Sequence, residues 1–193
     1  MEWNSLKADT VREYGRFSWI FIFTGLLTHR TFRVIILMRL CQILSNSYGI
    51  LKFFSFFLKR FYSLSIHIAG MDISWKTEVG AGVAMPHGWG IVINPSAKIG
   101  KNVTLFHGVT LGRRDRIFKD ETRQSEYPII EDEVWIGPHA IIVGGVTIGR
   151  GSRIAGGAFV TTNIPPYSIV VGNPSNIVKS DCIPDVVNRA HFN

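Results

Sequence analysis

Residues 130–160 read IEDEVW, IGPHAI, IVGGVT, IGRGSR, IAGGAF and then Val160, each unit of six opening on an aliphatic residue. The same beat runs backwards through Leu111, Leu105, Ile99 and Ile93, and before them through Ile91, Met85, Val79 and Ile73. Ile91 and Ile93 belong to two registers, so two extra residues enter there. After Leu111 the beat stops for a polar insertion and resumes at Ile130. A period of six is not helical, because successive sixth positions on an α-helix fall about 120° out of step. Nor is it one long strand, since Gly follows Val79, Ile99, Leu111, Ile136 and Ile148 and would break it. The pattern suits a coil of short strands and tight turns. Each apolar residue enters a shaft above the last, and the Gly beside it takes a turn where a side chain would clash or φ must be unusual. One rung cannot bury its own apolar face, so stacked rungs share a core.

The chain has 193 residues, 46% hydrophobic and 18% charged, which describes a globular protein with one good core and a smaller element. Cys41 and Cys182 form neither a disulfide framework nor a metal spacing, which fits a reducing cytoplasm. Of the net charge of +7, residues 1–68 contribute nine Lys/Arg against three acids, and the remainder twelve against eleven. The repeat region is therefore nearly neutral, and nucleic acid is not an expected partner.

Residues 1–70 read as a helical, apolar and basic segment. The opening Met1–Arg16 is polar and lacks the pattern of a signal peptide. Three apolar runs follow, at residues 17–27, 34–44 and 50–68, none a clean match to the roughly 20 apolar residues of a spanning helix. In the third run Phe53, Phe54, Phe56, Phe57, Phe61 and Tyr62 interleave with Lys52, Lys59 and Arg60, as in an interfacial helix whose aromatics sit at headgroup depth. Peripheral contact of residues 17–68 with the inner face of a cytoplasmic membrane is one expectation. Packing of the same face on the first coils or on another subunit is the other. Ser45–Gly49 reads as a turn between helices, and the coil begins after Ala69-Gly70-Met71.

Met85-Pro86-His87-Gly88-Trp89-Gly90-Ile91-Val92-Ile93-Asn94 places a histidine inside the coil, at the register insertion and between small residues. The insertion widens that rung, and Gly88 and Gly90 are expected to leave space beside the ring. A neutral imidazole can take a proton from an alcohol and return it to a leaving thiolate. This decapeptide resembles the serine acetyltransferase branch of the hexapeptide-repeat acyltransferases. The likeness continues through Val109-Thr110-Leu111-Gly112, Tyr127-Pro128-Ile129-Ile130, Ile164-Pro165-Pro166-Tyr167-Ser168 and Val171-Gly172-Asn173-Pro174, and reaches back through Asp72-Ile73 and Met38-Arg39 to Ala8-Asp9. It implies a mainly β fold: a left-handed parallel β-helix of hexapeptide repeats over 71–179, with an inserted loop at 112–129, an α-helical N-terminal segment over 1–70, and a tail at 180–193. The hand comes from the resemblance, since the general rule for parallel crossovers favours the right hand. It further implies a homotrimer, acetyl-CoA as co-substrate, no metal, and His87 as general base.

The departures from that branch bear on the acceptor. Serine acetyltransferases carry Asp immediately before the catalytic His, where this chain has Pro86, and a second Asp near the start, where it has Tyr14-Gly15. Their insertion ends in Arg-His-Pro, where this chain has Glu126-Tyr127-Pro128. Losing that Arg removes a cation suited to a carboxylate, and Glu126 is expected to repel one. A sugar hydroxyl is therefore the expected acceptor, on a polysaccharide or capsule precursor, and the His-Gly-aromatic-x-Val-Ile-Asn pattern also resembles the colanic-acid and capsule-type O-acetyltransferases. Serine O-acetylation is the alternative, with Glu13 or Glu126 standing in for the missing residues. A non-catalytic membrane-surface scaffold is the alternative of another class. Trp89, Asn94, His107, Glu126 and Tyr127 are candidates for the acceptor site. His107 is placed three coils beyond His87, so it need not touch that ring within one subunit, and His139 is a minor candidate for the base. Arg113, Arg114, Arg116, Lys119 and Arg123 of the insertion are candidates for phosphate contacts. Gly145, Ala155, Gly157, Pro174 and Lys179 are candidates to line the coenzyme's path, small residues letting its arm run close to the backbone.

Overall fold

The structure, a computed structural model, describes residues 2–45 and 49–191; of the expected turn at Ser45–Gly49, residues 46–48 lie outside them. Four helices come first: α1 (Glu2–Tyr14), α2 (Trp19–Thr28), α3 (Arg30–Leu44) and α4 (Ile50–Ala69). Their ends follow local chemistry. The Ser18 hydroxyl caps α2 by accepting from the Ile20 N–H, and the His29 ring caps α3 by accepting from the Phe32 N–H. Gly70 ends α4 in the left-handed region at φ +62°.

From Asp72 the chain winds into a parallel β-helix with three flat faces. On the first, Asp72 pairs with Val92, Val92 with Thr110, Thr110 with Ile141, and Ile141 with Phe159. The second carries Glu78, Lys98, Ile129 and Thr147, and the third Thr104, Trp135, Arg153 and Ile169, again in parallel register. Most strands are two residues long, the second pointing inward. Ile93, Ile99, Leu105, Leu111, Ile130, Ile136, Ile142, Ile148, Ile154 and Val160 are all 3% exposed or less, so the hexads do line one shaft. Each such side chain contributes about 1.5–3 kcal/mol by burial. The glycines that follow them answer to close approach: a Cβ on Gly80 would lie 2.4 Å from the carbonyl carbon of Gly100 in the next rung.

The register locates the two departures from regularity. Val92 pairs with Thr110, eighteen residues on, while Ala84 pairs with Thr104, twenty on, so the two extra residues fall between Ala84 and Val92. The insertion is not an unstructured loop. Arg114–Ile117 and Arg123–Glu126 form an antiparallel hairpin with a charged residue in every pair, from Arg114 opposite Glu126 to Ile117 opposite Arg123. The tail is also ordered. Asn176–Lys179 turns back antiparallel to Ile169–Val171, and the chain then returns along the third face. There the carbonyl of Ile183 accepts from Arg153, and Ala190 exchanges two hydrogen bonds with the Asn102 side chain.

The helices cap the open end of the coil, sharing one apolar cluster with its first rung and enclosing a buried ion pair. Arg39, 1% exposed, donates to both carboxylate oxygens of the fully buried Asp9, at 2.8 and 3.3 Å, and to the carbonyls of Val79 and Gly80. Asp9 Oδ1 also accepts from the backbone N–H groups of Gly82 and Val83. Burial pushes the Asp9 carboxyl up, and Arg39 and the two amides pull it back. One residue pair thus joins α1, α3 and the first rung. Asp9→Ala removes the counter-charge of a buried guanidinium and is expected to lower stability by about 3–5 kcal/mol, read as a fall in the urea midpoint.

Candidate active site

The two extra residues make one corner of the coil, between the third and first faces, wider than the rest. His87-Gly88-Trp89 spans it, where the next rung has His107 alone. His87 takes φ +52°, a left-handed backbone that throws its ring outward, and it is exposed. Among the described residues its ring has no hydrogen-bond partner. Gly88 does not leave space beside that ring: a Cβ there would lie 2.4 Å from Met71 Cε and 2.8 Å from Thr31 Cγ2. The start of α3 and the first residue of the coil fill the volume that the glycine vacates. Arg30, also at the start of α3, stacks on Trp89 with its guanidinium 3.6 Å from the ring centroid and donates to the carbonyl of Ala69. The helical cap therefore grips the widened corner at Gly88 and Trp89, the two residues after His87.

His107 belongs on the adjacent rung, not three coils away. Three hexads complete one circuit of three faces, so His107 occupies the same corner one rung on. Its ring meets His139 edge to face, with centroids 5.0 Å apart, and its buried Nδ1 has no partner among the described residues. Gly108 makes room for this pair, since a Cβ there would lie 2.2 Å from His139 Nδ1. Below them the same corner carries Ala155, Gly156 and Gly157, then Gly172 and Pro174. Gly156, Gly157 and Pro174 are exposed, and nothing lies within 4 Å of where a Gly157 Cβ would be. One edge of the prism thus holds His87, Trp89, His107, Ala155, Gly157 and Pro174 in vertical order.

The other candidates are elsewhere. Lys179 pairs with Ile169, at the far edge of the third face. Asn94 lies at the corner between the first and second faces, where its Oδ1 accepts from Ser96 N–H in a local turn. Glu126, Tyr127 and Gly145 are at that corner too. Gly145 is not open to a coenzyme, because the hairpin base covers it; a Cβ there would lie 3.1 Å from Glu126 Cβ. Glu126 is no free negative charge. It accepts from Arg114 at 2.8 Å, and that bond, with a further one from the Gly145 N–H, holds its carboxyl below the usual range. Of the insertion's cations, Arg114 serves Glu126, while Arg113 and Arg123 serve Asp115. Glu13, a stand-in for the missing Asp, lies 3.1 Å from His29 Nε2.

A cavity of about 280 Å³ opens beside the widened corner, lined by Pro86 and Phe106 from that edge, Thr104 and Trp135 from the third face, Arg12 and Glu13 from α1, and Asp185 from the tail. A larger one, about 400 Å³, lies at the opposite corner of the third face among Lys101, Glu133, Arg150 and Arg189, remote from any of the three edge histidines. Among the described residues no group of three or more His, Cys, Asp or Glu could hold a metal ion. The sequence gives no advance sign of Arg30, Thr31 or the tail at this site, since none falls in the hexad pattern.

The family model for bacterial transferase hexapeptides, six repeats, matches residues 127–162. The serine acetyltransferase of Staphylococcus xylosus is 37% identical over 112 residues, 58% of this chain and 50% of that protein. That of Staphylococcus aureus strain N315 is 35% identical over 118 residues, 61% and 53% of the two chains. The chain spans about half the length of the curated relatives it matches. Among solved structures, the Neisseria gonorrhoeae serine acetyltransferase superposes with a TM-score of 0.72 at 27% identity, over 93% of this chain and 67% of that one. The Brucella abortus serine acetyltransferase gives 0.70 at 30% identity, over 93% and 70%. These relatives are serine acetyltransferases and not polysaccharide O-acetyltransferases, which overturns the expectation of a sugar or capsule-precursor acceptor. One leg of the physical argument for that expectation fails as well, because Glu126 is paired with Arg114; the other, the missing Arg before Tyr127-Pro128, stands. The grip of Arg30 on Trp89 is testable. Arg30→Ala is expected to lower stability by about 1–2 kcal/mol in urea unfolding, and Arg30→Lys to recover little of it, because an ammonium does not stack as a planar guanidinium does.

Proposed function

Because this chain belongs to the bacterial hexapeptide-repeat transferases, we propose that it is an O-acetyltransferase that moves the acetyl group of acetyl-CoA to the hydroxyl of free serine. One observation carries the reading. The likeness to serine acetyltransferase structures covers 93% of the chain and so includes the N-terminal helices, which a hexapeptide coil on its own would not match. The solved Brucella abortus enzyme in complex with coenzyme A, 29% identical with a TM-score of 0.71, supports acetyl-CoA as the donor. A left-handed coil and a homotrimer go with the same reading.

In this mechanism the His87 imidazole takes the proton of the serine hydroxyl as the oxygen attacks the thioester carbonyl. The tetrahedral intermediate collapses with loss of the coenzyme A thiolate, and the His87 imidazolium returns the proton to sulfur. His87 suits the role because its ring is exposed at the mouth of the edge and bound to no neighbour. The edge below it, through Ala155, Gly157 and Pro174, offers the coenzyme an open path with little side-chain bulk. The cavity beside Pro86 presents charges of both signs, Glu13 and Asp185 with Arg12, as a zwitterionic acceptor requires. No metal enters these steps.

Incubation with acetyl-CoA and L-serine is expected to release free thiol and form O-acetylserine by mass spectrometry, whereas L-alanine, lacking the hydroxyl, gives neither. Absence of serine-dependent thiol would end the proposal. His87→Ala is expected to lower kcat about 10²- to 10⁴-fold with little change in KM for serine; an unchanged kcat would remove His87 from the mechanism. The protein's own thiols do not disturb this readout. Cys41 and Cys182 are both buried, and burial pushes the Cys41 thiol up to about 11. A thiol reagent at pH 8 should therefore find none in the native protein and both after denaturation.

A further inference from the structure

The third apolar run folds as α4, and α4 turns its apolar side away from the protein. Its buried stripe is of small or polar residues: Ser55, Tyr62, Ser65 and Ala69, at steps of seven, three and four. Tyr62 is therefore not one of the surface aromatics; it is 2% exposed and donates its hydroxyl to the carbonyl of Ile73. Phe53, Phe54, Phe56, Phe57, Phe61, Leu64 and Ile68 are 49–64% exposed. At 100° per residue, Phe53, Phe57, Leu64 and Ile68 fall within about 60° of one line along the helix. The phenyl rings touch mainly each other, Phe53 against Phe57 at 5.1 Å and Phe56 against Phe57 at 5.6 Å. At about 100 Å² for each half-exposed side chain, the face presents on the order of 700 Å² of apolar surface, more than a soluble surface ordinarily leaves open.

Charge indicates what covers it. Between Phe17 and Met71 the chain holds six Lys/Arg and no Asp or Glu. Lys52 and Arg60 are exposed along one flank of the stripe, Arg60 with its guanidinium 5.2 Å from the Phe56 ring centroid. A second copy packed on this face would set cation against cation, with no acid in the whole stretch to pair them. An anionic lipid surface supplies the missing charge and takes up the phenyl rings at the same depth. No single helix among the described residues is long and apolar enough to cross a membrane, so the contact is with one surface. The bent pair α2 and α3 passes that test by composition, but most of α3 is buried against the rest of the protein.

We propose that the outward face of α4, centred on Phe53, Phe57, Leu64 and Ile68 and flanked by Lys52 and Arg60, docks this protein on a bilayer surface carrying anionic phospholipid. The docking does not depend on which acceptor the enzyme uses. The test is flotation of the full-length protein with vesicles of equal parts phosphatidylcholine and phosphatidylglycerol, against phosphatidylcholine alone. The native protein is expected to float with the mixed vesicles, less so at high salt, and weakly with the neutral ones. Combined Phe53→Ser, Phe57→Ser and Phe61→Ser should weaken binding by about tenfold or more, and Lys52→Gln and Arg60→Gln by about fivefold each. All five positions are on the surface, so thermal unfolding and serine-dependent turnover without vesicles should match the native protein. Failure of the native protein to float, or equal flotation by the phenylalanine variant, overturns the proposal. So does a fall in the mass of the assembly by light scattering in the phenylalanine variant, which would assign the face to another copy.

Discussion

Successive rungs of this coil stand one strand spacing apart, about 4.8 Å, and everything unusual in the molecule follows from that closeness. At a corner there is no room toward the neighbouring rung, as the 2.4 Å approach of a Gly80 Cβ to the Gly100 backbone shows. A residue added to one circuit can go neither up nor down, and the shaft is already filled by aliphatic side chains. It can only leave the prism sideways. Two insertions do so, and they flank the same face: the widened corner at His87 and the charged hairpin after Gly112. Polar chemistry is thereby confined to the edges, while the interior stays uniform enough to stack.

The same stacking leaves the first rung with a neighbour on one side only. A repeat array needs a cap there, and the helices provide it. Their attachment is an apolar cluster shared with the first rung, and it encloses one ion pair, which is costly to bury unless every group is met. Asp9 and Arg39 meet that condition by using each other and the free amides and carbonyls of the first corner, so the ion pair completes hydrogen bonding that the next rung would otherwise have supplied. The cap reaches the site through one rigid element. α3 holds Arg39 on the first rung and, a few turns earlier, Arg30 and Thr31 against Trp89 and Gly88. The orientation of the His87 corner is thus set by the same helix that closes the coil.

The hexad period was legible because it is local: each inward residue is six from the last, whatever the coil does as a whole. What the period does not state is that three hexads close one circuit, and so His107 was expected three coils from His87 when it shares its corner on the next rung. The hairpin was unreadable for a related reason. Both of its sides are solvated, so no apolar alternation marks its strands, and the pairing is carried by charge, Arg114 with Glu126 and Arg123 with Asp115. Without that pairing Glu126 reads as a free anion, and this, beside the missing Arg of the insertion, turns the expected acceptor away from a carboxylate. Gly145 shows the converse limit. Its sequence neighbours describe an open small residue, and only the fold brings Glu126 across it.

α4 was legible in composition but not in direction. A run of phenylalanines with interleaved cations fits a helix buried on the coil as well as one facing outward. The stripe it buries decides between them. Ser55, Ser65 and Ala69 have little apolar surface to gain from burial, and what they provide is closeness, letting the backbone of α4 lie near its neighbour. One ring is seated on that face, that of Tyr62, whose hydroxyl meets the carbonyl of Ile73; the phenylalanines, with no such partner, lie on the other side. Their placement contributes less to folding than a core position would, since about half of each side chain stays in water, and a reason for keeping so many of them there has to be sought outside the chain. With no acid from Phe17 to Met71, what they meet must bring its own negative charge.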